Sequence, residues 1–266
     1  MTLRSILLLP LALSIALPTF IARADDVSPI CTDRPTKANA TCTVPQGMWQ
    51  LETDVGNYTR DAHGGGSAET LYFINPTLKY GIGSHTDIEV NWAPDIRVRT
   101  NDDGRHHTTS GAGDLYVRLK TSLYTGDSFN ASIIPFVKAP TASHDIGNGR
   151  WEGGVAVPMS AAVGGGFTVT LGPELDALAD ADGHGRHLSV TNLVNLSHAL
   201  TSKLSVAVEY WRGDNHDPSG HVMQESGDIA FVYVVNPDLQ LDLGANMGLN
   251  QATPDTQMYL GLSYRW

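Results

Sequence analysis

The chain predicts an all-β fold: a transmembrane antiparallel up-and-down β-barrel of about twelve strands. Three features predict it. The last eleven residues, Thr256 to Trp266, alternate strictly: Met258, Leu260, Leu262, Tyr264 and Trp266 on one parity, Gln257, Tyr259, Gly261, Ser263 and Arg265 on the other. A period of two with one apolar face is a strand lying between two different solvents. The same alternation recurs along the chain, with connections that are alternately short and long. The third feature is an N-terminal leader with the pattern of an export signal.

The leader comes first. Arg4 supplies the positive charge, Ser5 to Ile21 are almost wholly apolar, and Ala22-Arg23-Ala24 fits a cleavage site, so residues 1–24 read as a signal peptide and Asp25 as the mature start. Pro10, Pro18 and the short apolar core argue against a membrane anchor. Beyond Ala24 no apolar run is long enough to span a bilayer as a helix. Removing Arg4 and Arg23 takes the net charge from −11 to −13, which excludes the basic footprint of a nucleic-acid partner.

Residues 25–47 form a polar, proline-bearing periplasmic segment holding the only two cysteines, Cys31 and Cys42. An oxidising compartment favours one small disulfide between them, and no neighbouring histidines supply a metal site there. The segment suits a plug folded into the periplasmic mouth, or a loose tail; the sequence leaves both open.

The barrel occupies residues 48–266. Strands are expected near 48–58, 69–80, 86–96, 113–124, 130–138, 151–161, 167–177, 187–198, 204–211, 226–235, 239–246 and 256–266. The short connections are Gly81–His85, Thr125–Phe129, Ala162–Gly166, Ala199–Lys203 and Asn236–Asp238. The long ones are Thr59–Ala68, Arg97–Ala112, Ala139–Arg150, Leu178–Arg186, Arg212–Glu225 and Met247–Asp255. Short periplasmic turns and longer outer loops are the rhythm of an outer-membrane barrel. The faces agree: Leu115, Val117, Leu119 and Leu123 oppose Asp114, Tyr116, Arg118, Lys120, Ser122 and Tyr124. A charge on the lipid face costs roughly 2–4 kcal/mol at the midplane, and the charges avoid that face. Aromatics near strand ends, such as Trp49, Tyr80, Trp92 and Trp266, suit interfacial girdles.

The inward parity is rich in ionisable groups. The expected lumen lining is Glu52, Asp54, Lys79, Glu89, Asp114, Arg118, Lys120, Lys138, Glu152, Glu209, Asp228, Asp242 and Arg265, with Glu69, Asp87, Asp95, Glu174 and Asp176 among the further acids. Buried charges must pair, so the lining stiffens the barrel; an excess of carboxylates also favours cations. Twelve strands give a lumen wider than that of an eight-stranded barrel and narrower than a porin's, hence narrow or plugged. Eight of the ten histidines (His63, His106, His107, His144, His184, His187, His216 and His221) fall in or beside outer loops; loop histidines without a fixed frame are solvated, and no metal or other cofactor is assigned. An enzyme is not expected. His198 beside Ser197 and Ser202 has no visible orienting group, and a G-x-S-x-G elbow is absent.

Several segments resemble a known family. They are Thr32-Asp33-Arg34-Pro35, Gly47-Met48-Trp49-Gln50-Leu51-Glu52, Pro76-Thr77-Leu78-Lys79-Tyr80-Gly81-Ile82-Gly83 and Gly111-Ala112-Gly113-Asp114-Leu115. Lys138-Ala139-Pro140-Thr141, Gly147-Asn148-Gly149-Arg150-Trp151-Glu152, Leu241-Asp242-Leu243-Gly244-Ala245-Asn246 and Thr253-Pro254-Asp255 follow in order. Over most of residues 32–266 the chain is similar to the outer-membrane family called "putative meta-pathway of phenol degradation". The resemblance implies a channel or transporter passing small, hydrophobic or aromatic compounds by passive diffusion. It carries no set of functional residues. The alternatives are a structural barrel without cargo and, behind it, a barrel lipid hydrolase. The terminal strand, residues 256–266, also resembles the signal that such barrels present to their assembly machinery, so the expected partners are outer-membrane lipid, that machinery and a small-molecule cargo.

Overall fold

Among the described residues, seventeen strand segments build one antiparallel sheet that closes on itself. They are β1 (Trp49–Asp61), β2 (Ser67–Ile74), β3 (Thr77–Gly83), β4 (Thr86–Asn91), β5 (Asp95–Asp102), β6 (Arg105–Gly111), β7 (Leu115–Thr125), β8 (Phe129–Ala139) and β9 (Glu152–Ala156). The rest are β10 (Met159–Gly164), β11 (Phe167–Leu171), β12 (Glu174–Ala179), β13 (Arg186–Ala199), β14 (Leu204–Asp217), β15 (Gly220–Asn236), β16 (Leu239–Gly248) and β17 (Thr256–Arg265). The computed structural model describes residues 28–62 and 65–266; the leader 1–24, residues 25–27 and His63 lie outside the described residues.

The seventeen segments make twelve wall crossings. Five crossings are broken in two: β2/β3, β4/β5, β6/β7, β9/β10 and β11/β12. Four breaks hold a proline (Pro76, Pro94, Pro158 and Pro173), which cannot donate to a ladder. The breaks lie side by side. The Trp92 amide donates to Pro76 O at 3.2 Å, Gly113 to Ala93 O at 2.8 Å and Val157 to Pro173 O at 2.9 Å. The remaining seven crossings, β1, β8 and β13 to β17, run unbroken, and β17 pairs with β1 to close the wall. Trp49 and Trp266 exchange both backbone hydrogen bonds at 2.9 Å at that seam.

Burial is inverted relative to a water-soluble protein. Among the largest fully buried side chains are Lys79, Lys120, Gln50, Glu89 and Asp87, whereas Leu260, Met258, Leu243, Leu175 and Val194 stand half exposed on the outside. Such an apolar outer surface is stable only against lipid. Paired rings mark the short-turn end: Trp49 on Tyr80 at 4.5 Å, Tyr264 on Trp266 at 5.8 Å and Tyr124 near Phe129 at 5.9 Å.

Five expectations are corrected. The "loop" Arg97–Ala112 is a hairpin, because β5 and β6 run on past the wall and turn at Asp103-Gly104, both at positive φ. That Asp-Gly turn matches the twist of the strands it joins. The "loop" Arg212–Glu225 is likewise the extended β14–β15 hairpin. Tyr124, expected inside, is 58% exposed, because the ladder slips between Ser122 and Tyr124. The fourth concerns Glu69. Below the Asn75-Pro76 break odd residues such as Lys79 face inward; above it Tyr72 does, so Glu69 turns to the outer face, where it registers with Arg60 and Arg99. Asp95 shares the outward parity of Arg97, since its neighbour Ile96 is buried inside.

Candidate functional site

The site is the interior of the barrel. Glu52, Asp54, Lys79, Glu89, Lys120, Lys138, Glu209, Asp228, Asp242 and Arg265 are all buried, and Asp114, Arg118 and Glu152 are half-buried. Period two puts them on the inner face, and closure of the sheet brings residues from distant strands opposite one another. Their charges are sorted. Lys79, Lys120 and Arg118 form a cationic arc around Glu89, at 3.4, 3.4 and 3.5 Å. Asp54, Asp242, Asp228 and Glu209 form an acidic arc along β1, β16, β15 and β14. Lys138 stands apart, 2.6 Å from Glu152 and 3.2 Å from Asp114, and ties the base of the loop 140–151 through Asn148. Arg265 sits at the short-turn end, 2.8 Å from Asp238, and also donates to Ser28 O.

Residues 28–47 run through this interior, and their charges complement both arcs. Asp33 accepts from Lys79 and from Lys120. Burial alone raises the Asp33 carboxyl, yet Lys120, Lys79 and Arg118 outweigh it and hold it well below the usual carboxylate range. Arg34 reaches the acidic arc, 2.6 Å from Asp54 and 2.9 Å from Asp242. Gly261 makes room for it: a Cβ there would lie 2.0 Å from the Arg34 Nη2 atom. Lys37 donates to Asp228 at 2.5 Å and Ser226 at 2.9 Å and stands 5.4 Å from the Trp211 ring centre. The amides of Lys37 and Ala38 donate to Glu209, and Arg118 donates to Asn39 at 2.8 Å. Cys31 and Cys42 are bridged, with Cα atoms 6.3 Å apart, across the base of the segment. Asp228 lies eight residues up β15 from Asn236, about 20 Å above the short-turn end at ~3.3 Å per residue and ~40° of tilt. The segment therefore reaches well past the mouth.

Above it the interior opens. A cavity of about 350 Å³ is lined by Lys37, Asn39, Tyr116, Arg118, Phe136 and Glu174. Another of about 370 Å³ lies between the broken strands and the loop 140–151, lined by Tyr72, Ile96, Tyr116, Asp114 and Ile146. Rings of Tyr116 and Phe136 stand 6.4 Å apart between them. At the long-loop end His187 Nδ1 lies 2.9 Å from Asp180 and 3.3 Å from Asp217, tying two hairpins together. His198 is occupied otherwise: its Nδ1 bonds Gly166 O at 3.1 Å and its ring stacks on Phe167.

Sequence reasoning missed Asp33, Arg34, Lys37 and Asn39 as interior residues, together with Tyr72 and Phe136. The available signal was the segment's alternation of charge, Asp33-Arg34 then Lys37, opposite to a net acidic interior.

Solved structures share this architecture. The "COG4313 outer membrane channel from Pseudomonas putida F1" superposes with a TM-score of 0.69 at 13% identity, over 85% of this chain and 98% of that one. The "NanC porin" gives 0.51 at 11%, over 81% and 98%. The translocator domain of the autotransporter NalP from Neisseria meningitidis gives 0.51 at 12%, over 84% and 90%. These likenesses establish the fold. A search of curated proteins finds no match. A family model described as "Putative MetA-pathway of phenol degradation" matches residues 32–266, nearly all of the barrel and the segment inside it, and the chain belongs to that family.

Proposed function

We propose that the protein is an outer-membrane channel that passes small compounds by passive diffusion, and that residues 28–47 are its plug. The observation that carries this is a closed polar interior with an apolar exterior, occupied at one end by a segment whose charges match the wall. A structural barrel gains nothing from open cavities above such a segment. Cavities of about 350 and 370 Å³ are large enough for a small organic molecule. Tyr72, Tyr116, Phe136 and Ile96 offer ring faces and hydroxyls, which favour aromatic or hydrophobic cargo over sugars. The acidic arc favours cations once the plug leaves it. A hydrolase reading has no support in His198, whose Nδ1 and ring face are both engaged.

Planar-bilayer conductance tests the channel, and liposome swelling with phenols, alkanes and sugars tests the cargo. Deleting residues 28–46 should raise conductance and leave a cation preference. Identical conductance after the deletion removes the plug; a clean anion preference contradicts the acidic lining; no swelling with any solute leaves a structural barrel.

A further inference from the structure

The outer face of β1, β2 and β5 changes abruptly toward the long-loop end. The last large apolar side chains there are Phe73, 40% exposed, and above it Leu71 with Tyr58 opposite, Tyr58 being 37% exposed. Arg97 registers with Leu71 in that row, and Arg60, Glu69 and Arg99 stand immediately above it. Arg60 registers with Glu69, and Glu69 with Arg99, so the three ionisable side chains form one row across adjacent strands. Arg97 lies over the Phe73 ring, 5.2 Å from its centre, at the edge of the apolar band. These four charges sum to +2, and to +1 with Asp95 lower on the same face of β5, on a chain that is otherwise strongly acidic.

The cluster is confined to one arc. Followed around the wall, the same row continues through Thr256, Met247, Gly227 and Tyr210, none of them charged. The next arginine on the outer face of that side, Arg212, is already paired with Asp214 at 2.7 Å and faces Glu225 at 3.7 Å. Arginine forks bind phosphate in a bidentate manner, and a guanidinium resting on an aromatic ring keeps its donors outward. A row of arginines at the upper rim of a lipid-facing band meets headgroups, with acyl chains against the band below.

We propose that this arc is a binding site for a phosphorylated glycolipid of the outer leaflet, with Arg60, Arg97 and Arg99 on its phosphates. The proposal rests on the outer-membrane placement of the barrel but not on conduction, so lipid binding and conductance succeed or fail separately. The test uses folded full-length protein in detergent, with bis-phosphorylated lipid A and its dephosphorylated form as probes. Wild-type protein should bind the phosphorylated form at least about tenfold more tightly, because several charge-assisted hydrogen bonds are at stake. Replacing all three arginines (R60Q, R97Q and R99Q together) should abolish that preference, and R212Q should keep it. Equal affinity of wild-type protein for the two lipids overturns the proposal without any variant. So does a preference that survives the triple replacement in protein whose heat-modifiable gel migration shows a folded barrel. Displacement of the lipid by inorganic phosphate as effectively as by lipid A would mark a free-anion site instead and would equally overturn it.

Discussion

Replacing Arg34 with alanine removes the cation that Asp54 and Asp242 share. The guanidinium lies 2.6 Å from one carboxylate and 2.9 Å from the other, and its side chain is only 16% exposed. Deleting one partner of a buried pair costs about 3–5 kcal/mol. Interior water hydrates the orphaned carboxylates as the segment loosens, so the lower figure applies. At ~1.4 kcal/mol per factor of ten, a loss of ~3 kcal/mol shifts the balance between seated and unseated plug by roughly 150-fold. The assay is single-channel recording in planar bilayers at fixed voltage and salt. The fraction of time at full conductance should rise by about two orders of magnitude or to saturation. Gly261→Val reaches the same end from the wall, since a side chain there occupies the place of Nη2. Combining Arg34→Ala with Asp242→Asn should recover part of the loss by removing one unpaired charge. An Arg34→Ala channel with wild-type open time would refute the electrostatic seating of the segment.

Three further outcomes follow from the same contacts. Reducing the Cys31–Cys42 bridge, or replacing both residues with serine, frees a loop spanning 11 positions; a staple of that size contributes about 3 kcal/mol, so dithiothreitol should increase conductance, and an unaltered trace would show that the bridge does not hold the plug. Lys138→Met strips Glu152 and Asp114 of their shared cation; limited proteolysis within residues 140–151 should then accelerate about tenfold or more, whereas an unchanged digestion rate would show that the loop is held by other contacts. Deleting Trp266 removes two backbone hydrogen bonds to Trp49 and a ring stacked on Tyr264. At ~0.5–1.5 kcal/mol per hydrogen bond the seam weakens, and the yield of heat-modifiable folded barrel should fall; normal membrane insertion without Trp266 would detach the terminal strand from assembly.

Much of the wall was legible because its information is local. Trp49 and Leu51 against Gln50 and Glu52 state the two faces of β1 without reference to any other strand. The errors came where a local irregularity resets the count. Pro76 was visible in the sequence, but the parity on its far side depends on how many residues the break absorbs, and Glu69 was therefore placed inside. Asp103-Gly104 is a strong hairpin signal embedded in a polar stretch, and polarity outweighed it. The interior contacts of residues 28–47 were not legible at all. Cys31 and Cys42 suggested a staple, but no spacing connects Arg34 to Asp242, 208 positions away.

By itself, then, the sequence determined an alternating chain of about twelve crossings with its charges on one parity, because a strand's two faces are set by neighbours two residues apart. The tertiary structure decided which of those charges meet, how deep the N-terminal segment reaches and which arginines face lipid. Those depend on closure of the sheet, which places Asp54, Asp242 and Asp228 around one segment, and on breaks that turn single residues from the inner face to the outer.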